Sequence, residues 1–325
     1  MKRREFITLL GGAATASGWT LRAHAEQVGR IYRIAFMIPA KREWPAVVAF
    51  FDELQRAGFV EGRNLALLPG GFDVRRENVA ETAIAIVGAA PDAIVGGPDI
   101  YTHALANATQ TIPVLTMSED VVADGLVPSL ARPGGNITGI SIMSPELDGK
   151  RQDLLIAAVP GMRRMVALSD STVPRQESLQ VLIDAARARG IELSVIPIVR
   201  PEDILPAIDA AKSSGAQAIN FLASSMFPLN DPAVFDHLSA ARLPAIHHWP
   251  ETAEFGGMMG YGSRFTELFR QRARLLVKVL RGTKPADLPV EQPTQFELVI
   301  NLKAAGAAGH EIPAGLVLRA DKVID

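Results

Sequence analysis

The stretch IYRIAFMIPAKREWPAVVAFFDELQRAG, residues 31–58, sets the pattern for the rest of the chain. Its first eight residues are apolar or aromatic apart from Arg33, and they read as a buried strand. Pro39 breaks the run. After it, Trp44, Val47, Val48, Phe51, Leu54 and Gly58 recur at helical spacing, with Asp52, Glu53 and Arg56 on the opposite face. A buried strand followed by an amphipathic helix is the unit of a parallel α/β sheet.

Working outward, the unit repeats. Further strands are expected at residues 64–68, 93–95 and 114–116, with helices at 77–89 and 101–109. A connector rich in turn formers, Ala131-Arg132-Pro133-Gly134-Gly135-Asn136, then interrupts the rhythm. The alternation resumes with strands at 165–168, 193–198, 218–222 and 245–248, and helices at 177–189, 204–213 and 233–240. The plan of the first half is thus repeated in the second, without a repeat of sequence. Two similar α/β lobes in succession follow from it. Residues 256–262, GGMMGYG, are too glycine-rich for an ordinary strand and suit a hinge crossing. A second hinge segment is expected around residues 139–143. Residues 265–280 form a helix with Phe265, Leu268, Phe269, Leu275, Leu276 and Val279 on one face. Its arginines, Arg270, Arg272 and Arg274, are read mostly as a solvated face, an anion site being the other reading. Lobe 1 is assigned residues 26–140 plus about 258–285, and lobe 2 residues 141–257 plus about 286–325.

Composition narrows the function. The chain has 325 residues, 48% of them hydrophobic, which suits two domains with cores of their own. A net charge of -2 offers no basic footprint for nucleic acid. The chain has 0 cysteines, which excludes a disulfide scaffold, a thiolate nucleophile and a Cys-based zinc site. No stretch beyond the N-terminus approaches the roughly 18 consecutive apolar residues of a membrane span.

Residues 1–25 read as a signal peptide. Lys2, Arg3 and Arg4 supply the charge, residues 6–21 a weakly apolar region, and Ala23-His24-Ala25 a cleavage site before Glu26. Arg3-Arg4 resembles a twin-arginine signal, whose cargo is exported folded. Removing four basic residues and Glu5 takes the net charge from -2 to -5. The mature chain is expected in the periplasm.

Three segments carry a family resemblance: residues 51–64 (FDELQRAGFVEGRN), 125–139 (GLVPSLARPGGNITG) and 284–303 (KPADLPVEQPTQFELVINLK). They resemble the ABC-transporter substrate-binding family that includes tryptophan- and tyrosine-binding members, and the likeness runs over residues 31–324. It implies the type I periplasmic-binding fold, two Rossmann-like lobes with parallel sheets joined by a multi-crossing hinge, with a ligand trapped between the lobes and delivery to an ABC permease and ATPase in the inner membrane. The sequence departs from relatives at Asp120-Val121, where many carry Asp-Pro, and at Asp170-Ser171, where Asn-Pro is common. Pro250-Glu251-Thr252 likewise stands where Arg-Glu-Phe is frequent.

Ligands of open parallel sheets bind beyond the carboxyl ends of the strands. The corresponding loops here are residues 39–44, 96–101, 118–122, 169–172, 224–227 and 247–251. They hold Trp44 and Trp249, with Tyr101 in and Tyr261 beside them. An aromatic ring gives a ligand large contact area at low entropic cost, or it caps the core of its lobe. Asp99, Glu119, Asp120, Asp170 and Glu251 are candidates for a ligand ammonium, and Asp99 and Asp170 equally suit helix N-caps. Ser118, Ser224 and Ser225 are candidates for a carboxylate. The candidate ligand-binding set is Trp44, Gly97, Asp99, Tyr101, Ser118, Asp120, Asp170, Ser171, Ser224, Ser225, Trp249 and Glu251. No cofactor or metal is expected. His247-His248 on a strand would point to opposite faces, and Gly96-Gly97 lacks the rest of a dinucleotide fingerprint.

The sequence reading is therefore a monomeric, non-enzymatic receptor that closes on a small polar solute, an amino acid or small carboxylate. An extracytoplasmic sensing domain partnering a signalling receptor is the alternative. A periplasmic hydrolase on a similar scaffold lacks a visible nucleophile–base arrangement.

Overall fold

The computed structural model describes residues 29–142, 144–172 and 176–325. The expected signal peptide, residues 1–25, lies outside the described residues. Residues 31–325 form one compact unit built on two sheets.

The first sheet arises from β1 (Tyr32–Met37), α1 (Pro45–Arg56), β2 (Leu65–Leu67), α2 (Val79–Gly88), β3 (Ala93–Gly96), α3 (Asp99–Ala108), β4 (Val114–Ser118) and β5 (Ile137–Ser141). Its order is β2-β1-β3-β4-β5, parallel throughout. The second sheet follows from α4 (Ser144–Ala158), β6 (Arg164–Asp170), α5 (Gln176–Arg187), β7 (Glu192–Ile198), α6 (Ile204–Ser213), β8 (Ile219–Phe221), α7 (Pro232–Ala241) and β9 (Ala245–His247). It is completed by α8 (Pro250–Phe255), β10 (Met259–Gly262), α9 (Phe265–Leu280), β11 (Glu297–Asn301), α10 (Leu302–Ala307), α11 (Ala314–Val317) and β12 (Lys322–Ile324). The order is β12-β11-β10-β9-β8-β6-β7, and only β11 against β10 is antiparallel.

Each sheet is buried on both faces, as parallel sheets require. One face of the first packs under α1 and α9 through Phe36, Phe50, Leu268, Phe269 and Leu276. The other face packs under α2 and α3. In the second sheet α6 and α7 cover one face, while α4 and α5 cover the other. Helix α1 turns a slightly different face inward from the expected one. Phe50 is buried while Val48 is 46% exposed, because Ala46, Val47, Ala49, Phe50 and Leu54 form the inward stripe. The helix at 265–280 has the expected bounds.

The glycine-rich segment is a correction to the sequence reading. Met259–Gly262 is a strand of the second sheet, paired on both sides, and not a hinge. Its glycines reflect close backbone approach. A Cβ on Gly260 would stand 2.1 Å from the Trp249 carbonyl oxygen, and one on Gly262 2.2 Å from that of His248. The crossing to the first sheet accordingly falls after Gly262, and not near residue 258. Residues 288–291 still bond to the first sheet. Glu291 N donates to Gly139 O at 2.9 Å, Ser141 N to Glu291 O at 2.9 Å, and Thr138 Oγ1 to Leu288 O at 2.9 Å. The last crossing thus lies between residues 291 and 297, beyond the expected 285. The first crossing follows Ser141, at the end of β5.

Candidate functional site

Strands β1 and β3 are neighbours, but their connections run to opposite sides, β1 towards β2 and β3 towards β4. The loops leaving their carboxyl ends therefore diverge and open a crevice. Residues after β1 (Pro39, Ala40, Lys41, Glu43 and Trp44) and after β3 (Gly97 and Pro98) line a cavity of about 740 Å³ there. The second sheet supplies Phe227 to Asn230 from the loop after β8, with Trp249 and Phe255 from around α8. Helix α9, carried over from the second sheet, contributes Phe265, Phe269 and Arg272. The cavity is thus built from both sheets and a crossing element, and its size is that of an ordinary small-molecule site.

The two tryptophans are joined through α9. Trp44 meets Phe265 edge-on at 4.8 Å and Phe269 at 5.4 Å between ring centroids. Trp249 lies 3.9 Å from Phe265, with 32° between the planes. Trp44 is half-buried, whereas Trp249 is 7% exposed and belongs to the core cluster that includes Leu268 and Phe269. Trp249 consequently serves both as cavity wall and as core.

Arg272 is the unusual group. It has no solvent exposure, and its guanidinium stacks over Phe269 at 4.4 Å. Nη1 donates to the Gly96 carbonyl at the end of β3, 2.8 Å away. Nε and Nη2 are buried without a hydrogen-bond partner among the described residues. Burial alone pulls the guanidinium down to about 9, because the charged form is stripped of water with no acid beside it. It remains a cation at neutral pH.

Of the residues expected at the site, Trp44, Gly97, Glu119, Ser225 and Trp249 line the cavity. Gly97 has to be glycine, since a Cβ would stand 2.9 Å from the Tyr101 ring and 3.0 Å from Met37 O. Among the described side chains, Tyr101, Ser118, Asp120, Asp170, Ser171, Ser224 and Glu251 do not line the cavity. Tyr101 is buried, its hydroxyl donates to Val74 O at 2.8 Å, and burial pushes the phenol up. Ser118 donates to Asp124. Asp120 accepts from Val122 N and Ala123 N, both at 3.0 Å, and so stabilises its own turn. Asp170 accepts from Thr172 N at 2.8 Å and Ser224 Oγ at 2.5 Å, and Ser224 Oγ accepts in turn from Met226 N. Ser171 is exposed and its N–H is bound to Ile198 O. Glu251 points to the start of α9, where Oε1 accepts from Phe265 N at 2.9 Å, and burial raises its carboxyl. Asp99 opens α3, and its side chain lies outside the described residues.

Sequence reading missed the α9 contribution, although a signal was present. Arg272 falls three residues after Phe269 and three before Leu275, in the apolar stripe itself. Arg274 pairs with Glu267 at 2.8 Å and Arg270 with the same residue at 3.6 Å, on the solvated side. The loop Phe227-Pro228-Leu229-Asn230 carried no such signal. His247 and His248 face apart. His247 stacks on Phe221 at 4.3 Å, and His248 lies 5.0 Å from Trp249.

Comparison with known proteins places this geometry in context. Residues 46–324 match the profile of a family described as ABC transporter substrate binding protein. A tyrosine-binding protein of Clostridioides difficile (strain R20291) is 25% identical over 260 residues, covering 78% of this chain and 73% of that protein. Among solved structures, an ABC domain from Streptococcus pneumonia in complex with L-Trp superposes with a TM-score of 0.80 at 23% identity. It covers 90% of this chain and 100% of that one. A conserved domain protein from Vibrio cholerae gives 0.78 at 24% identity, with the same coverage.

Proposed function

The chain belongs to the ABC transporter substrate-binding protein family, and from that premise we propose that it is the solute-binding component of an importer. It is exported by the leader at residues 1–25 to the periplasm, where it acts as a monomer. It catches a small polar solute, an amino acid or small carboxylate, between its two sheets and presents it to a membrane permease with its ATPase. Binding draws the sheets together about the crossings, and the closed form is what the transporter reads. The observation that supports this most directly is the composition of the cavity walls. Loops at the carboxyl ends of both sheets, together with a helix on the crossing path, put aromatic rings around one space of about 740 Å³.

The test is a ligand screen of the purified chain against amino acids, aromatic acids and nucleosides, read by thermal shift. A ligand that binds only the folded state must raise its apparent stability. Hits are followed by tryptophan fluorescence, since the half-buried Trp44 becomes more buried on closure. A stabilising solute that leaves both tryptophans unchanged in emission argues against a site at this cavity. Absence of any stabilising solute argues against solute binding itself.

A further inference from the structure

We propose that Arg272 is the anchor for a ligand carboxylate and that the cavity takes a flat, apolar monocarboxylate, an aryl acid, without calling on a ligand ammonium. This deepens the solute-binding reading above and rests on it.

The argument starts from an unsatisfied cation. Arginine is rarely fully buried unless paired, and leaving buried donors without acceptors is costly. Arg272 is fully buried at the cavity wall, and two of its nitrogens have no partner among the described residues. A guanidinium held by Nη1 to Gly96 O and stacked on Phe269 cannot turn to find another acceptor. The two orphan nitrogens, Nε and Nη2, share one edge of the planar group. Their N–H bonds run parallel, which is the fork that a carboxylate accepts with both oxygens. A carboxylate there would satisfy the remaining donors and neutralise the charge in one step.

The rest of the ligand follows from the walls and from the state of the acids. Beside Arg272 stand Phe269, Phe265 and the two indoles, an environment for a planar apolar body. An α-amino acid also requires an acceptor for its ammonium. Asp120, Asp170 and Glu251 do not line the cavity: Asp120 Oδ1 and both Asp170 oxygens serve their own loops, and Glu251 holds the start of α9 through Oε1, its Oε2 being buried without a partner among the described residues. Glu119 lines the cavity but is not free. Glu43 lines it as an exposed side chain, where pairing is weakened by water and salt.

The experiment is calorimetric titration of the full chain with indole-3-acetate and phenylacetate, with their neutral amides, and with L-tryptophan and L-phenylalanine. The acids are expected to bind at least about 10-fold more tightly than the amides, as a charge-assisted pair should give. Arg272→Met should weaken the acids on the order of 100-fold, and Arg272→Lys by an intermediate factor, because an ammonium offers no fork. Equal binding of acids and amides to the native chain overturns the proposal without recourse to any variant. So does native affinity in Arg272→Met, or failure of both acids to bind. Tighter binding of the amino acids than of the matching acids overturns the ligand class while leaving solute binding intact. If neither these probes nor the wider screen yields a ligand, the solute-binding reading fails with it.

Discussion

Trp44 and Trp249 are held by the same local device: each is the extended residue immediately before a proline that opens a helix, with ψ 132° in both. A residue before proline is kept out of the helical region by its neighbour's ring, and proline is well suited to the first helical position. The Trp-Pro step thereby stops each strand-end loop and turns an indole towards the cavity. Phe265 lies between the two, 4.8 Å from Trp44 and 3.9 Å from Trp249. The ring on the crossing path therefore touches a residue from each sheet.

The two tryptophans should separate in their cost to folding. Trp249 is almost fully buried in the core beneath α9, so Trp249→Ala should lower the unliganded chain's stability by about 3 kcal/mol or more. Trp44 is half-buried, and Trp44→Ala should cost clearly less. Both should weaken solute binding by roughly 1 to 3 kcal/mol, as loss of an aromatic anchor does. Denaturant titrations of the two variants, with affinities measured alongside, check this. Equal stability losses would contradict the core role of Trp249.

Glu251 should behave as a helix cap and not as a ligand contact. Helix α9 begins without a side-chain cap of its own, and Glu251 accepts from its first N–H across the crossing. Glu251→Ala should cost about 1 kcal/mol of stability, while Glu251→Gln, which keeps the acceptor, should lose much less. Solute affinity should stay within a few-fold of native in both. A variant of native stability that no longer binds would return Glu251 to the cavity.

The contrast between Glu251 and Arg272 shows where sequence reading succeeds and where it stops. Periodicity located β1 to β4, β6 to β9 and the helices between them, but not β5, α4 or the elements after α9, which are short or lack a clear apolar stripe. It missed β10, because its glycines look like a hinge until the backbone of residues 248–250 is seen lying over them. Loop positions lead to Trp44, Gly97, Glu119, Ser225 and Trp249 on the cavity wall, because strand-end geometry follows from the alternation alone. Asp120, Asp170 and Glu251 lie off that wall for a physical reason. Asp and Glu in tight loops bind nearby backbone N–H groups first, and sequence does not reveal which oxygens are already committed. Arg272 was legible only as a charge in an apolar stripe, and its meaning depended on whether any acid stood beside it.

Gly260 should tolerate no side chain. A Cβ there would meet the Trp249 carbonyl oxygen at 2.1 Å and Pro250 Cα at 2.9 Å, both backbone atoms that cannot swing away. Gly260→Ala should therefore destabilise the chain by about 3 kcal/mol and disturb Trp249, lowering solute affinity as well. Gly306 in α10 has nothing within 4 Å of such a Cβ, so Gly306→Ala should be neutral or stabilising by up to about 1 kcal/mol. Urea midpoints of the pair check the difference, and a harmless Gly260→Ala would contradict the packing of β10 under residues 248–250.

His247 should set an acid limit on stability. Its ring is buried between Phe221, stacked at 4.3 Å, and Phe235, edge-on at 5.9 Å, and Nε2 has no partner among the described residues. Burial holds the imidazole down at about 3, against 6.5 for an ordinary histidine. Between those values the unfolded chain binds the extra proton and the folded chain does not. The full stability is thus present above about pH 6.5 and is lost as the pH falls, at up to about 1.4 kcal/mol per unit. At pH 5 the His247 share amounts to about 2 kcal/mol. The raised carboxyl of Glu251 works with the opposite sign at lower pH, since its protonated form is the one that folding favours. The informative quantity is therefore the difference between native chain and His247→Phe, measured as urea midpoints at pH 7.5 and pH 5. The native chain should lose about 2 kcal/mol more than the variant between the two. Parallel losses would mean that His247 is protonated in the folded state, and that its aromatic packing is looser than the stacked geometry describes.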